Sequence, residues 1–517
     1  MTTDQSDEHL TKEELLTATR RIVEDREMME TAPDVFRRPP KKTVPPKFDW
    51  SEQGALVFGS VLGAIVVLYV ILGVCRTSDK PEKEPISKAS MLPAVVEYGG
   101  QKMEGKVFVG METTRTLKDE QLIAEIKQVK DAQGLPSEVF ADNVPPEMNV
   151  AHELSKLFGI YKANPGELDK LRTGITGGEW KIADETLKQV SDILTRVESK
   201  RQDIRSMLKR ENVCFSFEFT ESEEGLIPDT DGADFLEDYV LLEEYAIARA
   251  LLNGKVDDAV ECLNYIFRIA QLTAEVRSPE VRSKAARIRR YALNIAQTVV
   301  LDPKFRKKNL IDLYEILKEQ LETWTDDAEA WIGDRAGGLK VFNLVALYGP
   351  EGALEPNEIE ELDQRGILEG YTKRRDLAQI IAKDQVYYLR AMRSLIDECR
   401  RPFFQRRTLL NRLFSEQRRL KGTPEEPIIA GFLLRGITEL MEYIAFDRAD
   451  CEAAFLAMST SLKQPVPPEQ FELDPLYGKK YETRRMLNPT EPKISIVQTA
   501  YSNSLKPFRV PDYSNEK

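Results

Sequence analysis

One long apolar run stands apart from the mixed hydrophobic and polar pattern of the rest of the chain. Residues 55–75 read ALVFGSVLGAIVVLYVILGVC and carry no charged side chain. At a rise of about 1.5 Å per residue, about 20 such residues cross the ~30 Å hydrocarbon core of a bilayer. A cleaved signal peptide would have a shorter apolar core closer to the N-terminus. The run therefore predicts one transmembrane helix that acts as a signal-anchor.

The patterns on either side of this run divide the chain into further regions. We predict an N-terminal head with a proline-rich basic spacer (1–54), the transmembrane helix (55–75), a linker (76–92), a small β element with long helices (93–220), a helical domain (221–463) and a Pro/Tyr-rich tail (464–517). The fold class expected is mainly α. One transmembrane helix is followed by a helical-hairpin bundle or an irregular α-solenoid, with minor β structure.

Three short stretches carry the pattern of β-strands. Residues 93–115 contain two β-like segments with Gly99 and Gly100 at or near the turn, which predicts a small hairpin. Residues 214–220, CFSFEFT, alternate strictly between apolar and polar positions. A further strand is expected at ISIVQTAYS in the tail.

Two segments of the helical domain are predicted to be tight helix-turn-helix units. They are residues 246–266, AIARALLNGKVDDAVECLNYI, and residues 441–458, MEYIAFDRADCEAAFLAM. The first resembles one tetratricopeptide repeat in Gly254, Ala259 and Leu263. No tandem copy follows at a 34-residue period, so an array of such repeats is not predicted.

A heptad pattern predicts a long helix from about Trp180 to Leu208. Its apolar positions recur at alternating steps of three and four, with Arg201 filling one gap: Ala183, Leu187, Val190, Leu194, Val197, Ile204 and Leu208. Two interpretations remain open. The helix belongs either to an antiparallel hairpin within the chain or to a coiled coil between two chains.

Small residues within the transmembrane run favour pairing of two such helices. Ala55, Gly59 and Gly63 recur every four residues, so one helix face lacks bulky side chains and a second helix can approach closely. Two interpretations remain open: together with the heptad helix, this face predicts a homodimer, or the glycines are present only because glycine is common in transmembrane helices. More basic residues precede the run than follow it, which favours a cytoplasmic N-terminus and an extracytoplasmic C-terminal region.

Composition restricts the chemistry that the chain can perform. The net charge of −13 disfavours nucleic acid as a partner, because phosphate binding needs a basic surface. His9 and His152 are the only histidines, and we interpret His152 as a half-buried helix residue. The five cysteines form no CxxC pair, and the four that follow the apolar run are either free thiols or joined in one or two disulfides: Cys214, Cys262, Cys399 and Cys451. No catalytic, cofactor-binding or metal-binding residue is predicted.

The most basic segment lies at residues 400–421, where cations alternate with phenylalanine and leucine. Its cations are Arg400, Arg401, Arg406, Arg407, Arg412, Arg418, Arg419 and Lys421. A helix here would be cationic on one face and apolar on the other, which suits an acidic partner or an anionic surface. The alternative is a packed helix whose arginines pair with carboxylates of this acidic chain.

A short element near the C-terminus carries the one resemblance to known proteins beyond the repeat-like hairpin. The sequence FELDPLYGKKYETR contains Asp474, Pro475, Gly478, Lys479 and Tyr481 in the order Asp-Pro-x-x-Gly-Lys-x-Tyr. It resembles an element of uncharacterised, membrane-anchored helical bacterial proteins. That resemblance implies no activity.

These patterns support three expectations of function. The first is a non-catalytic, single-pass membrane-anchored scaffold whose partners are the lipid bilayer and an unidentified protein. The second is a membrane-tethered hydrolase or transferase that uses carboxylate and lysine chemistry. The third is a binder of anionic surfaces that acts through residues 400–421.

Overall fold

The computed structural model is mainly helical, as the sequence pattern predicts. It describes residues 91–98, 101–108, 119–140, 144–161, 184–216, 218–222, 225–229, 235–350, 353–368, 377–466, 471–487, 495–501 and 507–514. The chain divides into two units, Met1–Ser90 and Met91–Lys517, and every described residue belongs to the second. Among the described residues, no helix combines the length and the apolar character needed to span a bilayer. The predicted transmembrane run, with Ala55, Gly59 and Gly63, lies outside them.

Two antiparallel hairpins lie in the first part of the described chain. Strands β1 (Met91–Tyr98) and β2 (Gln101–Phe108) pair with Tyr98 opposite Gln101, which confirms the hairpin predicted there. Strands β3 (Glu218–Ser222) and β4 (Gly225–Asp229) form the second. The strand predicted at residues 214–220 is therefore confirmed only from Glu218 onward. Cys214 instead forms an isolated bridge with Asn149.

Helices between and after these hairpins make up most of the molecule. They are α1 (Glu120–Asp131), α2 (Pro136–Val139), α3 (Val150–Tyr161), α4 (Asp184–Leu208), α5 (Leu236–Leu252), α6 (Val256–Ala274), α7 (Pro279–Val299), α8 (Lys307–Glu322), α9 (Asp327–Tyr348), α10 (Pro356–Gln364), α11 (Leu377–Glu398), α12 (Phe403–Leu420), α13 (Ile429–Leu433) and α14 (Ile437–Leu462). A short 3-10 turn occupies Pro146–Met148. The chain ends in an antiparallel sheet of order β5 (Glu482–Leu487), β6 (Ser495–Ala500) and β7 (Phe508–Pro511), in which β6 confirms the strand predicted in the tail.

The first predicted helix-turn-helix unit is confirmed and the second is wrong. Helices α5 and α6 form a hairpin across Gly254, whose φ of +69° suits a residue without a side chain. Residues 441–458, by contrast, lie within the single 26-residue helix α14. Two polar residues of this segment, Asp447 and Glu452, are buried and bind Arg289 and Tyr481 from other parts of the chain.

The long helix predicted from the heptad pattern is present as α4. Its positions Leu194, Val197, Ile204 and Leu208 are buried in the same chain, where α4 packs against α3, α5 and α6. Arg201, the polar residue in the heptad series, is buried with them. This packing agrees with a helix inside one chain. It leaves a coiled coil between chains as an untested prediction.

The buried apolar side chains form two clusters that share helix α14. The first joins α3–α8 with the C-terminal half of α14 and with β6 and β7. The second joins α1, α9 and α10–α13 with the N-terminal half of α14. Alternate faces of α14 supply the two clusters, with Ala449 and Ala453 in the second and Cys451 and Ala454 in the first. Helix α14 therefore packs in both clusters.

Candidate functional site

The basic segment at residues 400–421 folds as helix α12, and its N-terminal half is part of the packed structure. Arg406 is buried, donates to the carbonyl oxygens of Cys399 and Arg401 and pairs with Asp327 at 2.9 Å. Arg407 pairs with Glu442 at 3.1 Å and lies over the ring of Phe403. The contacts of these two arginines agree with the interpretation in which the segment is a packed helix whose arginines pair with carboxylates.

The C-terminal half of α12 and the residue after it present a different environment. Arg412, Arg418, Arg419 and Lys421 are all exposed, and within the described part of the chain none of them forms an ion pair. We call these four residues the basic end of α12. The positive charges also lie at the helix C-terminus, where they are favoured by the helix dipole. Arg400 and Arg401 are exposed at the other end, where Arg401 contacts Glu398 at 3.4 Å.

The Asp-Pro-x-x-Gly-Lys-x-Tyr element forms a tight loop that packs on α12. The buried carboxylate of Asp474 accepts hydrogen bonds from the backbone amides of Leu476, Tyr477 and Lys479 at 2.5–3.0 Å. Gly478 has a φ of +70°, and a Cβ placed on it would lie 2.7 Å from the ring of Phe404. The aspartate and the glycine are thus explained by the geometry of this loop.

The tyrosine of the same element reaches helix α14. The hydroxyl of Tyr481 donates to the buried carboxylate of Glu452 at 2.7 Å, and Arg448 donates to the same group at 2.8 Å. Burial raises the pKa of Glu452, and these two donors counteract that effect. The element therefore fastens the C-terminal segment to α12 and α14, which is a structural role.

A second group of buried charges joins α4 to the helical hairpin. Glu243 is fully buried on α5 and accepts from Arg201 at 3.2 Å and from Arg205 at 3.0 Å. Arg205 also donates to the sulfur of Cys262 at 3.0 Å. Burial raises the pKa of the Cys262 thiol to about 12, so the sulfur remains protonated and unreactive at neutral pH.

A third group surrounds Trp324 at the connection between α8 and α9. The guanidinium carbons of Arg289, Arg448 and Arg282 lie 4.5, 5.3 and 5.6 Å from the centre of its ring system. Arg289 is neutralised by the buried carboxylate of Asp447 on α14. This cluster links α7, α8 and α14 through charge pairs and cation–π contacts.

Several buried carboxyl groups have a raised pKa, the property that would suit general acid chemistry. Burial raises the pKa of Asp384 and of Asp334 to about 7, and that of Asp447 and Glu244 to about 6. Asp384 accepts from the amides of Ile429 and Ala430 and so stabilises the start of α13. Asp447 binds Arg289, and Glu244 accepts from Tyr291. Three of the four are thus engaged in holding helices together.

The histidine and the cysteines considered in the sequence analysis lie in the packed part of the structure or beside it. His152 lies half-buried in α3, as predicted. Cys214, Cys262, Cys399 and Cys451 are free thiols, and no disulfide joins them. Across the described ranges, no three histidine, cysteine or acidic residues gather in a way that could hold a metal ion.

Sequence reasoning did not find the buried charge clusters. Glu243, Asp447 and Trp324 lie in stretches that resemble ordinary amphipathic helix or a polar connection. The one available signal was Arg201, a charge at an apolar heptad position, which requires a buried carboxylate opposite it.

Comparisons of the chain with protein-family models, with curated proteins and with solved structures find no match.

Proposed function

We propose that the protein is a non-catalytic, single-pass membrane-anchored interaction protein whose helical body binds a partner at the bilayer surface. Residues 55–75 would form the anchor, with the N-terminus in the cytoplasm and the body outside it. The observation that carries the proposal is the basic end of α12. In a chain of net charge −13, it leaves four exposed cations without acidic partners among the described residues.

The interior of the body supports a scaffold because its charges fix helices in place. Glu243, Asp447 and Asp384 are each bound by donors from a different helix or loop. Removing one partner of such a buried pair costs several kcal/mol, so these groups favour one arrangement of the helices. A body of fixed shape presents its surface to a partner without first having to order itself.

Anchoring adds to the effect of such a surface. A transmembrane helix confines the body to a thin layer beside the bilayer, and pairing through Ala55, Gly59 and Gly63 would place two bodies side by side. Two linked copies bind a repeated or dimeric partner more tightly than one, because the second contact is intramolecular. The partner expected on the basic end is an acidic protein surface.

Site-specific photo-cross-linking in the full-length, membrane-inserted protein tests this proposal. A cross-linking residue replaces Arg412 in one variant and Glu315, an exposed residue of α8, in the control. We expect a discrete protein adduct from position 412 and none of that size from position 315. Equal adducts from both positions, or none from position 412, would contradict a partner at the basic end.

Removal of the anchor is the second part of the test. Deletion of residues 55–75 should transfer the protein from the alkaline-washed membrane fraction to the soluble fraction. The matched control replaces Gly59 and Gly63 with leucine, which keeps an apolar span and should leave the protein in the membrane. Retention of the deleted form in washed membranes would refute anchoring by this segment.

The same basic end favours a second candidate function, binding to an anionic lipid surface through residues 400–421. Each exposed Lys or Arg near such a surface contributes about 1 kcal/mol. Vesicles with and without phosphatidylserine separate the two candidates. Binding that needs phosphatidylserine and is lost in the Arg412→Gln, Arg418→Gln, Arg419→Gln variant would favour the lipid surface over a protein partner.

A further inference from the structure

Arg335 on α9 is a buried cation that forms no ion pair within the described part of the chain. Only 6% of the residue is exposed, and no described residue accepts a hydrogen bond from its Nε. The ionisable groups close enough to influence it are Tyr388, Arg393 and Asp397 on α11. None of them forms an ion pair with it in the described structure. Every other arginine that is at least nine-tenths buried in the described residues, such as Arg205 or Arg406, has a carboxylate partner.

The neighbouring residue Arg393 does not compensate the positive charge of Arg335. Arg393 is itself occupied by the carboxylate of Glu125, at 2.6 Å, and by the side-chain oxygen of Gln128. Its charge adds to the positive potential at Arg335, and together with burial it lowers the pKa of the Arg335 guanidinium. The C-terminal end of α1 offers only the partial negative charge of its last carbonyl groups. A buried guanidinium therefore remains without full compensation.

A second unpartnered donor lies on the same face of α9. Trp331 precedes Arg335 by four residues, so the two side chains project from adjacent turns of one helix face. The residue is 1% exposed, and its indole Nε1 has no acceptor among the residues that the structure describes. Both orphan groups donate hydrogen bonds, so the group that would satisfy them is an acceptor, and an anion would also balance the charge.

The backbone leaves room for the guanidinium at the end of α1. A Cβ built on Gly134 would lie 2.5 Å from Nη2 of Arg335, so this guanidinium end lies directly against the glycine. Any larger residue at position 134 would displace Arg335. The absent side chain thus sets the position of the cation at the junction of α1, α9 and α11.

We infer that this junction is a binding site for an oxyanion, the phosphate or carboxylate group of a small ligand, held by Arg335 with the Trp331 indole on the same helix face. The planar guanidinium matches the two oxygen atoms of either group in a bidentate contact. An anion bound here would neutralise the buried charge and give the orphan donors an acceptor. The site does not depend on the anchor or on the basic end of α12.

Thermal unfolding of the full-length protein in detergent, titrated with inorganic phosphate at constant ionic strength, tests the inference. We expect a saturable rise in the unfolding temperature of about 2 °C at ten times the dissociation constant, with no rise in chloride. Acetate replaces phosphate in a parallel titration, and a response to acetate alone would assign the site to carboxylates. A wild-type temperature that does not respond to either anion would overturn the inference.

Variants locate the effect. Arg335→Met removes the charge at similar volume and should abolish the response. Arg412→Met removes an exposed cation of the basic end and should leave it intact. Because Arg335→Met also changes a buried position, Gly134→Ala provides an independent variant, which we expect to raise the phosphate concentration at half-effect at least tenfold. An unchanged response in Arg335→Met or in Gly134→Ala would refute the site.

Discussion

At the scale of single residues, the buried charges of this protein differ in how well they are compensated. The carboxylate of Glu243 accepts hydrogen bonds from two arginines. For the carboxyl group of Asp334, burial alone changes the pKa and raises it to about 7. Compensated groups are costly to disrupt, and uncompensated groups respond to pH or to a ligand. Two predictions follow directly from this difference.

Replacement of Glu243 by alanine should strongly destabilise the fold. Arg205 would then be buried without a carboxylate and Arg201 would keep only the partly exposed Glu198, and losing one partner of a buried pair costs about 3–5 kcal/mol. Urea unfolding measures the change in free energy. Lys200→Ala removes an exposed partner of Asp203 and should change it by less than about 0.5 kcal/mol. Similar values for both variants would show that Glu243 is not a central charge of the core.

Asp334 should make stability fall as pH rises through neutrality. An aspartate has a pKa of about 3.9 in the unfolded chain, and the raised folded value means that the folded state holds the proton more tightly. This stabilising contribution is complete below about pH 4 and is lost as pH rises through 7. Between pH 6 and pH 8, Asp334 should account for about 1 kcal/mol of lost stability.

Unfolding of Asp334→Asn at both pH values checks this dependence. The free energy of unfolding changes between pH 6 and pH 8, and this change should be about 1 kcal/mol smaller in the asparagine variant, because asparagine has no proton to release. The exposed Asp312→Asn variant should keep the wild-type difference. If the Asp334→Asn protein kept the full wild-type change in unfolding free energy between pH 6 and pH 8, Asp334 would not be the group responsible for that change.

At the scale of elements, local pattern predicted the β1–β2 hairpin and the α5–α6 hairpin, but it missed the β3–β4 hairpin and the continuity of α14. Gly254 supplies a turn conformation between α5 and α6, and that signal is local. In α14, a turn was predicted within residues 441–458, whereas the stretch from Asp447 to Glu452 is helical. Arg289, Arg290 and Tyr481 contact this stretch, and two of them lie about 160 residues away in the sequence. Such partners cannot be recognised from the pattern of the segment alone.

The glycines of α9 provide a matched test of helix packing. A Cβ on Gly333 would lie 1.7 Å from the carbonyl oxygen of Arg277, whereas a Cβ on Gly337 would meet nothing within 4 Å. Gly337→Ala should stabilise the helix by up to about 1 kcal/mol. Gly333→Ala should destabilise the protein by about 1–3 kcal/mol, because α9 must move away from the loop before α7.

Thermal unfolding of the two alanine variants distinguishes these effects. The expected changes in unfolding temperature have opposite signs, although the substitution is the same and both residues lie in one helix. Stabilisation by Gly333→Ala would mean that α9 does not approach the Arg277 carbonyl in solution.

At the scale of the whole molecule, the candidate site could be predicted only in part. The sequence identified the basic segment and left two interpretations open. The structure assigns one interpretation to each half of the segment, because Arg406 and Arg407 pair with carboxylates, whereas the cations Arg412, Arg418, Arg419 and Lys421 are exposed. Which half of an arginine-rich helix faces carboxylates depends on α9 and α14, whose positions no local pattern gives.

The two apolar clusters should unfold together, because α14 packs in both. Leu313→Ala in the first cluster and Met392→Ala in the second should each cost about 2–5 kcal/mol. We expect each variant to lower the midpoint of one shared transition. Calorimetry that resolves two transitions, with each variant shifting a different one, would show that the clusters are independent.

The position of α14 near the end of the chain also affects how the protein is made. Arg289 and Asp447 are 158 residues apart, and a ribosome adding about 5–20 residues per second needs roughly ten seconds or more to supply the second after the first. During that interval α7 has left the ribosome, but its arginines and the apolar surface that packs against α14 are still uncovered. In a nascent chain of this protein, that apolar surface therefore lacks its packing partner until the last long helix has been synthesised.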